Sequence, residues 1–367
     1  MAINPQTGQH HVEIFDRGGT QRVAELTDLD RVVWSRVRDD VSTARVSLGT
    51  DATRLQSELL SQLAGSIGRY EMKVYRGDDP VWEGPLTLGT FHRQGLELEA
   101  RDVMHYAART IMHAGYDNSY PNIGYVVERA RLILATELAR KEALDPPINV
   151  VDYIVDHQEA SDAKTSAKTL PYQFTVFEHI DSLAASRGMD YTVLGRAIHL
   201  WDTSKPAMGY TPVMTEVDFL GEMYVSVYGM ELGTVTAATD GQGSYGTSGA
   251  IDDYYGEVER LDTAYDENAT SAPTTAELAS QADRNLAGRN PTPILVRIPD
   301  NSGLDMRGKF TIADLVPGVY IPLRATLNLV ELAQMQKLQT VTVTETEEGE
   351  TIQVTLYPAS DADVEEV

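Results

Sequence analysis

Apolar and polar positions alternate with a period of two along much of residues 11–103, the pattern of half-buried strands. The densest case is 26–48, LTDLDRVVWSRVRDDVSTARVSL, in which two runs of strand-forming residues, 31–38 and 41–48, meet at Asp39-Asp40. Paired Asp favours a turn, and Val, Trp, Thr and Ser suit a pleated surface, so the stretch predicts a hairpin. Tyr70, Met72 and Val74 alternate with Glu71, Lys73 and Tyr75, and the turn cluster Arg76-Gly77-Asp78-Asp79 leads into Val81-Trp82-Glu83-Gly84. Around Gln94-Gly95 a further pair is expected, with Leu86 and Leu88 before it and Leu96, Leu98 and Ala100 after it, while Glu97, Glu99 and Arg101 take the solvent face. Leu55, Leu59, Leu60 and Leu63 have helical spacing and predict a short helix over 53–63. About six or seven short strands in this span suggest a small barrel or sandwich.

The period changes at Asp102. Residues 103–115 read as a short helix, and 123–143 as a longer one with Val126, Val127, Ala130, Ile133, Leu134 and Leu138 on one stripe. Residues 148–157 read as a strand and 158–171 as a polar loop. Thr175 and Glu178 have capping-box spacing before a stripe of Val176, Phe177, Ile180 and Leu183, with Gly188 as the left-handed stop. A hairpin is then expected around Leu194-Gly195-Arg196. Strands return after Glu216. They are interrupted by GQGSYGTSG (241–249), read as a flexible loop, and by a polar linker over 264–273. A second capping box, Thr274 with Glu277, opens a helix over 276–287, and the chain closes on a hairpin in which Val341 and Val343 face Ile352, Val354 and Leu356.

This order predicts an α+β chain of two small β-barrel-like domains with an α/β insertion between them: a first barrel over 1–103, the insertion over 104–212, a second barrel with one helix over 213–358, and an acidic tail over 359–367. No repeat is visible residue by residue, but both flanks carry short strands plus one amphipathic helix, which permits a duplicated barrel.

Composition narrows the function. The chain has 367 residues, 42% hydrophobic and 23% charged, a globular profile. No apolar run approaches the ~20 residues that cross a bilayer, and the N-terminus does not read as a signal peptide. There is no cysteine, which excludes disulfides, thiolate metal sites and a cysteine nucleophile. A net charge of −25, from 55 acids and 30 bases, disfavours sequence-specific nucleic acid binding and anionic membranes. It suits solubility, or an acidic wall along which DNA slides.

Candidate chemistry is sparse. None of the eight histidines (10, 11, 92, 105, 113, 157, 179 and 199) belongs to a metal or triad motif. His10-His11 read as part of a loose N-terminus, and His105 and His113 as structural residues two turns apart on one helix. His157 with Glu159 and Asp162 is a weak metal candidate explained as well by loop polarity. The glycine-rich 241–249 lacks the Lys-Ser/Thr of a phosphate loop and leads into an acidic strand. Asn268 matches a glycosylation pattern of little weight without a leader. Catalytic, cofactor and metal residues are therefore expected to be absent. What remains is the hairpin's arginine cluster, Arg31, Arg36, Arg38 and Arg45: either a solvated strand face, or contacts to carboxylates of another subunit, since copies of so acidic a chain repel unless basic patches meet acidic ones.

Several stretches resemble one family. DLDRVVWSRVRDDVSTARVSL, the VWEGPL strand after an RGDDP turn, FTVFEHIDSLAASRGMDYTVLGRAIHLWD and LVRIPDNSGLDMRGKFTIADLVPGVYIPL are similar to the minor tail proteins of long-tailed actinobacteriophages, a likeness running over roughly 12–357. The resemblance implies a tail-tip hub like that of contractile baseplates. Such hubs pair two barrels with α/β insertions, and three copies form a pseudo-sixfold ring between the hexameric tail tube and trimeric tip proteins. On this basis the expected partners are further copies in a homotrimer, a distal tail protein or tail-tube ring, and tip or fibre proteins. The expected place is the virion tail tip, with DNA passing through the lumen. No peptidase module is expected, because the chain stops soon after the last hairpin. The competing readings are a host-envelope-binding tail protein and a tail-borne cell-wall hydrolase.

Overall fold

The computed structural model describes residues 10–359 except 27, 51–52, 54–56, 94, 117–124, 143–153, 158–168, 204, 228–229, 231, 264–272, 288–293, 298–301, 307 and 329. The expected loose N-terminus is instead a strand from His10 onward: β1 (His10–Asp16) pairs with β2 (Arg22–Leu26) on one side. The hairpin follows as β3 (Leu29–Val37) and β4 (Thr43–Gly49), antiparallel with Val32 opposite Val46 and Trp34 opposite Ala44. Its turn is closed by Asp39 at φ 59, a left-handed conformation that Asp tolerates better than most residues. Helix α1 (Ser57–Ser66) buries Leu60 and Leu63.

After it come β5 (Tyr70–Arg76), β6 (Asp79–His92) and β7 (Gly95–Arg101). The alternation expected for β7 is present: Leu96, Leu98 and Ala100 are buried while Glu97 and Arg101 are exposed. β6 is shared. Its first half pairs with β5 and its second half with β7, and a bulge between Leu86 and Leu88 places Leu88 opposite Glu99. The extra residue in the bulge flips the face, so Leu86 is buried but Leu88, expected beside it, is 52% exposed.

The insertion has its own core, from Val103 to Leu200. Helix α2 (Met104–Ala108) is shorter than expected. Beyond it the backbone bonds across to the segment before the capping box, with Met112 N–H donating to Phe174 O (3.0 Å) and Val176 N–H to Thr110 O (2.8 Å), so His113 lies off the helix. Helix α3 (Val126–Glu142) buries the whole expected stripe. Strand β8 (Ile154–Asp156) is followed by α4 (Val176–Arg187), whose capping box and left-handed Gly188 (φ 80) stand as read. Then β9 (Met189–Leu194) and β10 (Ala197–Asp202) form the expected hairpin, and β8 adds to β10 in parallel.

The last segment begins with β11 (Met214–Thr215), β12 (Tyr224–Val227), β13 (Val235–Thr239), β14 (Tyr245–Gly249) and β15 (Glu259–Thr263). The supposed flexible loop is thus partly a strand. Gly246 is there for packing: a Cβ would lie 2.1 Å from the backbone N of Ala279 on helix α5 (Thr275–Ala287), which covers this three-stranded sheet. The helix carries the expected Thr274–Glu277 capping box. Strand β16 (Ile294–Arg297) pairs with β12, and the chain ends in β17 (Tyr320–Leu327), β18 (Val330–Thr346) and β19 (Gly349–Pro358). Val343 faces Ile352 and Val341 faces Val354, in the expected register. The glycosylation pattern at 268, the linker over 264–272, and tail residues 360–367 lie outside the described residues, as do Glu159 and Asp162.

The two strand-rich flanks do not form separate closed barrels. Thr340–Thr346 of β18 pairs antiparallel with Arg31–Val37 of β3, so N- and C-terminal strands share one eleven-stranded sheet. Its order is β11-β17-β18-β3-β4-β7-β6-β5-β1-β2, an open path, with β19 branching from β18. One apolar core joins both flanks, from Val12 to Leu356, and includes Trp34, Trp82, Phe310 and Leu338.

Candidate assembly surface

Parity along β3 decides where its arginines go. Val32, Trp34 and Arg36 point inward; Arg31 and Val33 point out. Arg36 is 8% exposed, and its guanidinium donates to Ile312 O (3.1 Å) and Val81 O (3.0 Å) and lies 5.1 Å from the Trp34 ring centroid. Burial pushes its pKa down to about 10. Arg36 is therefore an internal tie between β3, β6 and the segment before β17, which corrects its expected role as an intersubunit contact.

Arg38 is also turned to the chain itself. At the hairpin turn it donates to Gln339 Oε1 (2.9 Å) and lies 3.4 Å from Asp190 and from Asp39. Lys337 Nζ reaches the same Asp190 oxygen at 2.5 Å, and Thr203 Oγ1 donates to the other at 2.9 Å. The backbone joins in. Asp39 N–H donates to Tyr191 O (2.9 Å), Tyr191 N–H returns to Asp39 Oδ1 (2.8 Å), and Arg38 N–H donates to Gln339 O (2.9 Å). The hairpin tip thus locks β9 of the insertion to β18. Burial opposes ionisation of Asp190, but the charges of Lys337 and Arg38 outweigh it and hold the carboxyl below the usual range. Asp39 goes the other way, up to about 7, through burial and the negative charge of Asp190.

A second lock lies between β5, β6 and the β9–β10 turn. Arg196 Nη1 meets Glu71 Oε2, and Glu83 Oε1 at 3.0 Å; Glu71 also accepts from Tyr106 OH and from Gly18 N–H (2.9 Å), and Lys73 lies 3.4 Å from Glu83. Neither lock is legible in a short stretch of sequence, because its central pairs, Arg38–Asp190, Lys337–Asp190, Arg196–Glu71 and Arg196–Glu83, are more than a hundred positions apart. Only parity could have flagged Arg36, which falls in step with Val32 and Trp34.

Two of the four arginines stay outward. Arg31 is exposed and has no ion pair among the described residues; Arg45 pairs with Glu99 of β7 at 3.0 Å while its side chain is 58% exposed. With Arg31 opposite Ser47 and Val33 opposite Arg45, both sit on the outer face of the hairpin.

His10 and the His157–His199 pair make close polar contacts. Trp34 Nε1–H donates to His10 Nε2 (3.0 Å), which leaves Nδ1 of His10 to carry the proton toward Glu345 at 2.5 Å. His157 and His199 stack with Nε2 and Nδ1 2.6 Å apart; burial and the neighbouring ring push His199 down to about 4. Among the described residues no three His, Asp or Glu side chains are placed to hold a metal ion. No described helix is long and apolar enough to cross a membrane.

No family model and no curated protein matches the chain. Solved structures do. The tail protein from Neisseria meningitidis MC58 superposes with a TM-score of 0.60 over 96% of this chain and 97% of that one, at 12% identity. The 43 kDa tail protein of prophage MuSo2 from Shewanella oneidensis gives 0.56 over 97% and 100%, at 12% identity. Prophage tail protein gp18 from Listeria monocytogenes EGD-e gives 0.60 over 96% and 95%, at 10% identity. The chain has the fold of these tail proteins. The likeness covers nearly the full length of both partners, so it includes the insertion and the shared sheet. The hosts of these tail proteins are spread more widely than the actinobacteriophage likeness of the sequence suggests.

Proposed function

We propose that the chain is a structural, non-catalytic component of a phage tail, seated at the tail tip as a hub. In this reading several copies, three by the family plan, form a ring that joins a distal tail protein or tail-tube ring to tip or fibre proteins, and DNA passes through it during ejection. The observation that carries the reading is the full-length superposition on three tail proteins, two of them from prophages. Two features of the chain support it. Two buried charge clusters, around Asp190 and around Arg196, fix the insertion to the shared sheet, as a load-transmitting part requires. Its charge of −25 gives DNA no reason to stick. Arg31 and Arg45, on one outer face, are the members of the hairpin cluster left to meet a neighbour.

The test is direct. Antibody or gold label against this chain is expected at the distal end of the tail in electron micrographs of virions, and mass spectrometry of purified virions is expected to contain it. Label on the capsid, or absence from virions, overturns the reading.

One observation favours a host-contact role as an addition. Helix α5 covers only one face of the β14-β13-β15 sheet, the face of Thr236, whose hydroxyl donates to Ala282 O at 2.6 Å. On and beside the sheet Tyr245 (65%), Leu261 (71%) and Tyr254 (87%) are exposed. Binding of the purified chain to host envelopes, lost in the Tyr245→Ser and Tyr254→Ser variant, is the outcome that role requires.

A further inference from the structure

The main sheet carries opposite charge at the two ends of its strands. At the His10 end of β1, opposite Arg76 of β5 and next to Leu26 of β2, lies an open groove of ≈ 670 Å³ lined by Glu25, Asp28, Asp78, Glu345 and Glu347, with His10 and His11. Arg76, at the same end, is already neutralised by Glu350 at 2.7 Å. The groove therefore keeps an acidic excess.

The far end is basic. Asp16, the last residue of β1, pairs with Tyr70, and Arg17 follows it; Arg101 ends β7 opposite Thr43, the end of β4 away from Leu48. Seven strand residues at ~3.3 Å each put this end roughly 20 Å from the groove. From Arg101 the chain runs through α2 to Arg109, and Lys141, in the last turn of α3, donates to Arg109 O at 2.8 Å. Burial together with Arg140, Arg17 and Arg109 pushes Lys141 down to about 8, and burial together with Arg101, Arg109 and Lys141 pushes His105 down to about 4, which places these cations in one neighbourhood.

Of the nearby acids Asp102, Glu71 and Glu137 face inward, while Asp16 before Arg17 and the exposed Asp40 stay at the surface. Asp102 accepts from the backbone N–H of Ser42 (2.6 Å) and Met104 (2.9 Å), Glu71 is held by Arg196, and Glu137 accepts from the N–H groups of His113 (2.9 Å) and Ala114 (3.0 Å). Among the described residues Arg17, Arg101, Arg109 and Lys141 make no ion pair. In a chain with almost twice as many acids as bases, such a concentration of cations without an ion pair among the described residues opposes folding by self-repulsion and gains a partner's carboxylates on association.

We propose that the basic cluster of Arg17, Arg101, Arg109 and Lys141 docks against the acidic groove around Glu25, Asp28, Asp78 and Glu347 of a second copy of this chain. The partner is identified by charge complementarity and by the placement of the two patches at opposite ends of the same strands. Two unlike patches make a head-to-tail contact, which builds a ring when the rotation between copies closes. The inference rests on the hub reading for the use of that ring, but not for the contact itself. Being largely surface charge, the contact weakens as salt shortens the screening length to about 10 Å and below.

Sedimentation velocity of the full chain in low and high salt tests it. The wild type is expected to self-associate in low salt and to dissociate in high salt. The Arg109→Glu/Lys141→Glu variant is expected to weaken self-association by at least ~10-fold, the loss of roughly 1.4 kcal/mol of contact. The Asp78→Lys/Glu347→Lys variant is expected to behave likewise, and mixing the two variants is expected to restore association that neither shows alone. Should the charge-reversed cluster fail to fold by circular dichroism, Arg109→Gln/Lys141→Gln removes the charges without adding new ones and is expected to weaken association in the same sense. A wild type that stays monomeric in low salt, variants that associate like wild type, or a mixture that fails to pair each overturns the proposal. Labelled tail tips together with unaffected variants leave the hub and remove this contact. Variants that behave as expected, with the protein missing from virions, leave the contact and remove the hub.

Discussion

Asp190 is almost completely buried with Lys337 and Arg38 on its carboxylate, and each member of the triad depends on the others. Replacing Asp190 by Asn keeps the shape but takes from Lys337 its paired carboxylate and leaves Arg38 only Asp39, in a poorly solvated place. Breaking a buried pair in this way costs on the order of 3–5 kcal/mol, so the D190N variant is expected to unfold at markedly lower urea concentration. An unchanged midpoint would mean that water already solvates the triad. Asp102 gives a prediction of opposite character. Its folded pKa is pushed up to about 7 by complete burial, above the ordinary Asp value near ~3.9. Between about pH 4 and about pH 7 the folded chain therefore holds a proton that the unfolded chain has released. By linkage, stability falls as pH rises through this window. Asp39, also raised to about 7, adds to the same slope. In the Asp102→Asn variant the decline in unfolding free energy between pH 4.5 and pH 8 (about the edges of that window) is expected to be shallower than in wild type. A steeper decline would contradict the burial argument.

Elements of this fold are joined by strands that change partners. β6 leaves β5 for β7 within a few residues, and Gly84 stands at the crossing, where an added Cβ would lie 1.9 Å from Arg101 O. No side chain gives way there, since the obstacle is backbone. Gly84→Ala is expected to force β6 and β7 apart and to lose about 1–3 kcal/mol or more, read as a lower melting temperature with loss of near-ultraviolet signal from Trp82. A variant that melts like wild type would show that the crossing relaxes easily. Gly246 follows the same logic against α5. In both places the sequence shows only a glycine, which reads as a loop or a weak strand until the neighbouring backbone is known.

The whole molecule is held by non-local pairing. β18 supplies a second partner to β3, so the last hairpin completes the first. A chain truncated after residue 329 loses β18 and β19, uncovers the edge of β3 and opens the core beside Trp34. It is expected to aggregate, because a long apolar-backed edge recruits strands from other chains. Recovery of the truncated chain as a folded monomer would show instead that residues 10–103 form an independent unit. The two polar locks act at this scale as well, tying the insertion to the sheet at the hairpin tip and at the β9–β10 turn.

Local order was legible because it is set by local chemistry. The 31–48 hairpin, the stripe of α3, both capping boxes, the left-handed stop at Gly188 and the Val343–Ile352 register all follow from side-chain periodicity and from hydrogen bonds between residues a few positions apart. The resemblance to tail proteins reached further, and the superpositions agree with it at the level of fold. The arginines show where local reading ends. Arg31, Arg36, Arg38 and Arg45 look alike in sequence, yet one ties buried carbonyls, one caps an internal lock, and two face outward. That difference depends on which strand lies on which face. The pairing of β18 with β3 and the packing of β9 against the hairpin tip bring together residues about 150 to 300 positions apart. Pairing at that range is chosen by burial of one common core and by satisfaction of buried charges. Those are properties of the assembled chain, with no counterpart in any short stretch of its sequence.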